Sequence, residues 1–309
     1  MPVPPGTGSY RKRGRIMQRL LLIVNPCAGT KRFPRFFPQI IDLFRTHGFE
    51  STVYMTNGRG DATDIVRERG GDFDRIVCAG GDGTFNEVIS GLLSAGLTTP
   101  LGYIPCGSTN DFATTLRLPK TIMEAAASAV GGEPCPLDVG QFGDRYFSYV
   151  ASFGAFARTS YATPQTVKNA LGHLAYVLQG ISDIPSIRPL HMRVELDDLT
   201  FEDDYIFGAV SNSTSVGGVL TLDESRVDLN DGLFELVLIK SPKDIFELSE
   251  CIRALSAQDY NSRMITFVSA PEVRVFSGET LDWTLDGECA PDINEAVVRN
   301  LRSAITLYC

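Results

Sequence analysis

Residues 20–136 alternate short strand-like runs with segments of helical length, and this alternation constrains the fold more than any other feature of the chain. The strand-like runs are Leu20–Val24, Phe49–Thr56, Arg75–Ala79 and Leu101–Ile104. Leu20-Leu21-Leu22-Ile23-Val24 contains no polar residue, as expected of a strand buried on both faces of a parallel sheet. The spacing of apolar positions predicts helices over Phe36–Thr46, Ala62–Arg69, Phe85–Ala95, Asp111–Leu116 and Ile122–Val130. His47-Gly48 reads as a stop for the first of them. Such alternation implies a doubly wound, mostly parallel sheet with helices on its faces.

Three of these strands end in loops built from turn residues. They are Asn25-Pro26-Cys27-Ala28-Gly29, Gly80-Gly81-Asp82-Gly83-Thr84, and Pro105 through Asp111. In open α/β sheets, ligands sit at the carboxyl ends of the strands. Gly80, Gly81 and Gly83 allow a tight turn whose N–H groups converge on an anion. Thr84 and Glu87 have the spacing of a capping box for the helix Phe85–Ala95, and a helix N-terminus favours phosphate. Ser108 and Asp111 are placed to cap the next helix. Asp82 repels a phosphate unless a divalent cation bridges the two, or it bonds N–H groups of its own turn; both readings stay open. A distant carboxylate pair, Asp286-Gly287-Glu288, completes a constellation suited to moving a phosphoryl group, though the same three residues also suit a hairpin turn. There is no Gly-x-x-x-x-Gly-Lys loop, and Asn86 stands where a dinucleotide fingerprint needs its third glycine.

After Gly131-Gly132-Glu133-Pro134 the pattern changes. Tyr146–Ser152, His191–Leu196, Tyr205–Val210, Leu233–Ile239, Met264–Ser269, Glu272–Phe276 and Leu281–Leu285 read as strands, interrupted by helices at Thr166–Gln179 and Lys243–Leu255. This grammar predicts an antiparallel β-sandwich. The expected organisation is a leader at 1–19 without fixed structure, an α/β nucleotide-binding domain at 20–136 and a β-sandwich domain at 137–309. Ala296–Tyr308 is a further segment that could return to the first domain.

Asn25-Pro26-x-x-Gly29, Gly80-Gly81-Asp82-Gly83-Thr84-x-Asn86-Glu87, Gly107-x-x-Asn110-Asp111-Phe112-Ala113 and Asp286-Gly287-Glu288 together resemble the diacylglycerol kinase catalytic-domain family. The resemblance spans Leu20 to Glu288. It implies the NAD kinase/diacylglycerol kinase-like plan, with the active site between an α/β domain and a β-sandwich. It further implies that ATP is held by Asn25, Pro26, Cys27, Ala28, Gly29, Thr56, Ser108 and the run Gly80, Gly81, Asp82, Gly83, Thr84, Phe85 and Asn86. Glu288 would accept the proton of a lipid hydroxyl, and Asp82 with Asp111 would help Mg2+ neutralise the triphosphate. A structural magnesium would lie at Asp228, Asp231 and Leu233, a segment that reads equally as a hairpin turn. Ala28 replaces the family's usual Ser, Ser108 its usual Thr, and the nearest cations to the first loop are Lys31, Arg32 and Arg35.

The implied activity is ATP-dependent phosphorylation of a lipid alcohol, most directly diacylglycerol to phosphatidate. The rivals are a long-chain base or ceramide-like substrate, NAD or a sugar phosphate, and a non-catalytic sensor. The Gly-Gly-Asp-Gly-Thr element is shared with NAD kinases and phosphofructokinases, whereas Asn110-Asp111-Phe112-Ala113 and the late Asp-Gly-Glu favour lipid. A net charge of −9 argues against a nucleic-acid partner. No run approaches the ~18 apolar residues of a membrane span. Seven scattered cysteines suit a reducing cytosol, so the expectation is a cytoplasmic protein touching the membrane peripherally. Arg11-Lys12-Arg13 and Arg15 form the only basic run, read as a solvated leader or a weak membrane contact. The oligomeric state is left open, a homodimer included. Histidines 47, 173 and 191 read as structural, and Arg59-Gly60-Asp61 as the turn opening the helix at Ala62.

Overall fold

A computed structural model describes residues 17–29, 33–108, 110–154, 188–213, 215–216, 220–222 and 227–309. The expected helix Thr166–Gln179, the Arg11–Arg15 run, Lys31 and Arg32 lie outside the described residues.

The first part is the expected alternation: β1 (Gln18–Val24), α1 (Phe37–Thr46), β2 (Phe49–Met55), α2 (Asp61–Arg69), β3 (Arg75–Gly80), α3 (Asp82–Ser94), β4 (Leu101–Pro105), α4 (Asp111–Thr115) and α5 (Ile122–Gly131). The strands are parallel in the order β2-β1-β3-β4. In β1 every residue from Leu20 to Val24 is buried. Leu21 and Ile23 join a core with Phe85, Val88 and Ile89 of α3, whereas Leu20, Leu22 and Val24 face Ile40 and Phe44 of α1. One apolar strand thus serves two layers, which is why it carries no polar residue. The edge strand β2 buries only Phe49 and leaves Val53 and Met55 exposed.

The second part comprises β5 (Pro134–Phe142), β6 (Arg145–Phe147), β7 (Val150–Gly154), β8 (Leu190–Glu195), β9 (Thr200–Ser211), the short β10 (Ser215–Val216) and β11 (Leu220–Thr221), β12 (Phe234–Lys240), α6 (Ile245–Ala257), β13 (Ile265–Ala270), β14 (Glu272–Leu285) and β15 (Glu288–Tyr308). Pairing within it is antiparallel. Both β9 and β14 pair with β8 along one stretch and with β7 along another, so they fold the sheet over its own core. That core centres on Trp283, whose ring lies 5.0 Å from Phe142 and 4.7 Å from Phe153.

Three strand assignments depart from the sequence expectations, and one segment left open is placed. Tyr146–Ser152 is two strands, β6 and β7, because the Asp286 carboxylate draws the backbone N–H groups of Ser148, Tyr149 and Val150 out of the ladder. Glu272–Leu285 is one strand, carried through register shifts between Phe276 and Trp283. The strand β5 begins in Pro134-Cys135-Pro136, whose prolines hid it from strand patterning. Finally, Ala296–Tyr308 is the far end of the 21-residue β15. Its last residues run parallel to β4, pairing Leu307 with Leu101 and Tyr308 with Gly102, while the same stretch pairs antiparallel with β5.

The parallel sheet therefore reads β2-β1-β3-β4-β15 and continues into the antiparallel part without a break. Arg75 braces the junction. Its guanidinium sits 3.4 Å from the Tyr308 ring centroid and donates to the Ala129 carbonyl at 2.8 Å. Leu307 is fully buried in this seam. Leu307→Ala is expected to destabilise the protein by about 2–5 kcal/mol, the usual cost of such a cavity. Urea titration checks this, and a loss below about 1 kcal/mol would show that the C-terminal strand contributes little to the fold.

Candidate active site

The loops after β1, β3 and β4 extend the parallel ladder beyond the strands. Asn25 N–H donates to the Ala79 carbonyl at 2.9 Å, Thr56 N–H to Val24 at 2.9 Å, and Cys106 N–H to Gly80 at 2.7 Å. Gly29 has φ +50°, and a Cβ there would lie 2.1 Å from the Cys106 carbonyl oxygen. A Cβ on Gly107 would lie 2.7 Å from the Gly81 Cα. The three loops thus pack backbone against backbone, and only glycine fits at these two points. Asn25 ties two of them together: its Nδ2 donates to Thr84 Oγ1 at 2.9 Å and its Oδ1 accepts the Cys27 N–H.

These loops wall a cleft of about 440 Å³. It opens where the strand order reverses between β1 and β3, the usual ligand position in such sheets. Asn25, Cys27, Ala28 and Gly29 form one wall, and Gly81, Gly83, Thr84 and Gly107 the floor. Thr56 and the following Asn57, Gly58 and Arg59 form another wall, with Glu87 beneath. Glu288 closes the mouth from β15. The N-terminus of α3, with Gly81 as its cap residue, carries no side-chain cap and faces this space. Its positive end favours an anion at this floor.

Two expected caps are replaced. Glu87 does not close its own helix: its carboxylate accepts the N–H groups of Gly60 at 2.9 Å and Ala62 at 3.3 Å, and so caps α2. This leaves α3 open and fixes the Thr56–Gly60 loop over the cleft. Nor is Ser108 or Asp111 the cap residue of α4. Its cap residue is Asn110, at φ 54° and without a side-chain cap bond, and the Asp111 N–H donates to Asp82 Oδ2 at 2.9 Å.

Asp82 is therefore a brace between the second and third loops rather than a group satisfied in its own turn. The Tyr103 hydroxyl donates to its other oxygen at 3.4 Å. Burial pushes the Asp82 carboxyl up to about 6, opposed by the Asp111 N–H and reinforced by the Asp111 charge. Burial raises Asp111 as well. Two half-buried carboxyls in mutual repulsion fit a divalent cation, which would offset both charges.

Asp286 is buried and accepts three N–H groups, from Ser148, Tyr149 and Val150 at 2.5, 3.0 and 3.0 Å. Burial pushes it up to about 7, against those three bonds. Two residues on, Glu288 is part-exposed, and Arg59 Nη2 contacts its Oε2 at 2.7 Å. Arg145 approaches the same oxygen at 3.6 Å and donates to the Cys289 carbonyl at 3.1 Å.

The remaining candidates separate. Phe85 is fully buried, stacked on Tyr103 and Phe112, so only its backbone could serve a ligand. Asn86 turns toward the second part, donating to the Tyr146 carbonyl at 3.3 Å. Gly80 is buried at the end of β3, Ser108 is exposed in the third loop, and Pro26 lines a small apolar recess beside the first. Arg35 is exposed and away from the cleft lining. Among the described residues, the cation that does line the cleft, Arg59, was hidden inside an Arg-Gly-Asp turn. Its one signal was position, three residues beyond Thr56 at the end of an edge strand.

The Asp228–Leu233 segment is a turn. Asp228 Oδ1 accepts the Asn230 N–H at 3.0 Å and Asp231 Oδ1 the Leu233 N–H at 2.8 Å. Among the described residues, no cluster of three or more His, Cys, Asp or Glu forms a ready metal centre. Yet Glu235 is buried nearby with its Oε2 unpartnered, and burial beside Asp231 and Asp228 pushes its carboxyl up to about 8. That orphaned oxygen and the excess negative charge fit a cation at the turn. Asp138 anchors the segment by accepting the N–H groups of Gly232 and Ser303, each at 2.7 Å.

Comparison with known proteins agrees with this geometry. Residues 19–142 match the diacylglycerol kinase catalytic domain, and 149–308 match the YegS C-terminal NAD kinase beta sandwich-like domain. The chain is 37% identical over 278 residues to a diacylglycerol kinase of Bacillus subtilis (strain 168), covering 88% of this chain and 90% of that protein. It is 30% identical to a diacylglycerol kinase of Staphylococcus carnosus (strain TM300), covering 96% and 95%. A crystal structure of a diacylglycerol kinase from Bacillus anthracis str. Sterne superposes with a TM-score of 0.73 at 24% identity, covering 94% of this chain and 96% of that one, a likeness of fold. Two domain matches in the same order as the two parts of the sheet, and close relatives along nearly the whole length, place the chain in the diacylglycerol kinase family of ATP-dependent lipid kinases.

Proposed function

We propose that this chain transfers the γ-phosphoryl group of ATP to the free hydroxyl of diacylglycerol, giving phosphatidate at a membrane surface. Residues 20–136 act as the nucleotide domain and 137–309 as the lipid domain. The observation that carries the reading is a single cleft in which the uncapped N-terminus of α3 faces Glu288. One side suits a polyphosphate and the other offers a carboxylate to a hydroxyl.

In this reading the backbone N–H groups of Gly81, Gly83 and Thr84 hold the phosphates, with Asn25 to Gly29 and Thr56 enclosing the nucleotide. The lipid oxygen forms a bond to the γ-phosphorus as the bond to the β,γ-bridging oxygen breaks. The hydroxyl proton passes to the Glu288 carboxylate, and ADP leaves. Phosphoryl transfer requires alignment and charge neutralisation more than covalent help from the protein. Magnesium held by Asp82 and Asp111 would supply that neutralisation, and a second, structural ion would be held by Asp228, Asp231 and the Leu233 backbone. Among the described residues no helix is long and apolar enough to cross a membrane, so the substrate is reached peripherally in this proposal.

Labelled ATP, magnesium and a panel of lipid alcohols in mixed micelles test the substrate, with NAD as a control. Labelling of diacylglycerol is expected. Labelling of NAD, or of nothing while ATP still binds, would refute the assignment. Glu288→Gln is expected to keep the fold and lower turnover by about 10²–10⁴-fold, the range for a lost general base. Unchanged turnover would remove Glu288 from the mechanism.

A pH-dependence follows from Asp82. Its folded value, about 6, exceeds the ordinary 3.8. Without a cation, its contribution to stability is whole below pH 3.8 and is lost as pH rises through about 6. A cation binds the ionised form and restores the loss. Magnesium should therefore raise the melting temperature more near pH 7.5 than near pH 5, and Asp82→Asn should remove that difference. An equal magnesium shift at both pH values in the wild type would exclude Asp82 as a ligand.

A further inference from the structure

Arg59 and Glu288 stand on opposite parts of the fold, 229 residues apart in sequence, and meet across the mouth of the cleft at 2.7 Å. Arg59 belongs to the loop between β2 and α2, Glu288 to the start of β15. The arginine does not lie there by a loose swing of its backbone. The loop is held by the Thr56 N–H on Val24 and by the Glu87 carboxylate on Gly60 and Ala62. Glu87 rises from α3, whose first turn is the phosphate floor. One rigid unit therefore carries both the anion site and the guanidinium, while the side chain of Arg59 stays largely exposed and free to change partner.

Both ends of that side chain's reach bear on the same space, because Arg59 and Glu288 line the cleft together with Gly81 and Gly83. A nucleotide polyphosphate there would present several negative oxygens to a guanidinium already neutralised by only one carboxylate. Bidentate phosphate contact is a strong preference of arginine. Arg145, at 3.6 Å from the same Glu288 oxygen and anchored on the Cys289 carbonyl, is sited to keep Glu288 in place once Arg59 departs.

We propose that Arg59 is a positioning residue that reports nucleotide occupancy: it pairs with Glu288 across the mouth of the cleft and transfers to the phosphates of a bound nucleotide, uncovering the carboxylate for the lipid hydroxyl. This rests on Glu288 as the proton acceptor. The exchange makes Glu288 a competitor of the nucleotide for one guanidinium, which has a consequence that catalysis alone does not. Removing the Glu288 charge should strengthen nucleotide binding while it lowers turnover, and the strengthening should require Arg59.

The test is calorimetric binding of adenosine 5′-(β,γ-methylene)triphosphate with magnesium to four proteins: wild type, Glu288→Gln, Arg59→Ala and the double variant. Glu288→Gln should bind about two- to fivefold tighter than wild type, the range for an exposed ion pair. Arg59→Ala should bind more weakly than wild type, Arg59→Lys should recover part of that loss, and the double variant should match Arg59→Ala. Unchanged or weaker binding by Glu288→Gln overturns the proposal. So does tightening of the same size in the Arg59→Ala background, which would mean simple repulsion between Glu288 and the phosphates. Wild-type lipid phosphorylation is measured beside these titrations. Lipid turnover without the coupling removes the Arg59 exchange alone, whereas coupling without turnover on any lipid removes the kinase reading of Glu288.

Discussion

The strand β15 is bonded along its length to β14 and β5 and, at its end, to β4. Its first residue is Glu288 and its last is Tyr308. The carboxylate at the cleft and the seam of the two parts are therefore fixed by one continuous ladder. A strand that merely capped the antiparallel part would leave Glu288 on a free hairpin. Because the other end is locked beside β4, with Arg75 stacked on Tyr308, the carboxylate inherits the rigidity of the parallel sheet. The bends that allow this fall at Asp292 and Ser303, both with positive φ, and the Ser303 N–H is held by Asp138.

The cleft itself is built from main chain. Its walls approach so closely at Gly29 and Gly107 that no side chain could intervene, and its floor is an open helix end. Side chains enter mainly as braces. Asn25 joins the first loop to Thr84, Asp82 joins the second to the third, and Glu87 joins α3 to α2. Two of these braces are carboxylates, and Asp82 is half-buried, so its negative charge is one that a cation or phosphate-bound magnesium would relieve.

The parallel part was legible in sequence because its strands are buried runs and its loops are glycine-rich. Leu20–Val24 and Arg75–Ala79 fell in strands as predicted, whereas of Gly80–Thr84, read as a loop, only Gly81 lies between β3 and α3. The antiparallel part was legible in class but not in connection. Long-range partners decide it: the Asp286 carboxylate splits a single apolar run into β6 and β7, and β5 pairs with a strand more than 150 residues away despite its prolines. The caps were misassigned for a related reason. Thr84 and Glu87 have the right local spacing, but their partners, Asn25 and the α2 N-terminus, come from elsewhere in the chain. Arg59 was invisible because nothing in a local pattern says that a turn arginine will face residue 288.

The three N–H bonds that Asp286 accepts fall on Ser148–Val150, the segment linking β6 to β7. Asn86 of α3 reaches the same stretch by accepting the Ser148 hydroxyl at 3.5 Å. A connector pinned from both sides is a poor hinge. Bending there would strip a buried carboxylate of its donors, at a cost of several kcal/mol. The protein consequently has little use for the wide jaw-like closing by which many kinases shut out water. In the proposed reaction, shielding of the reacting oxygen would then fall to the lipid acceptor itself, laid against a fixed surface.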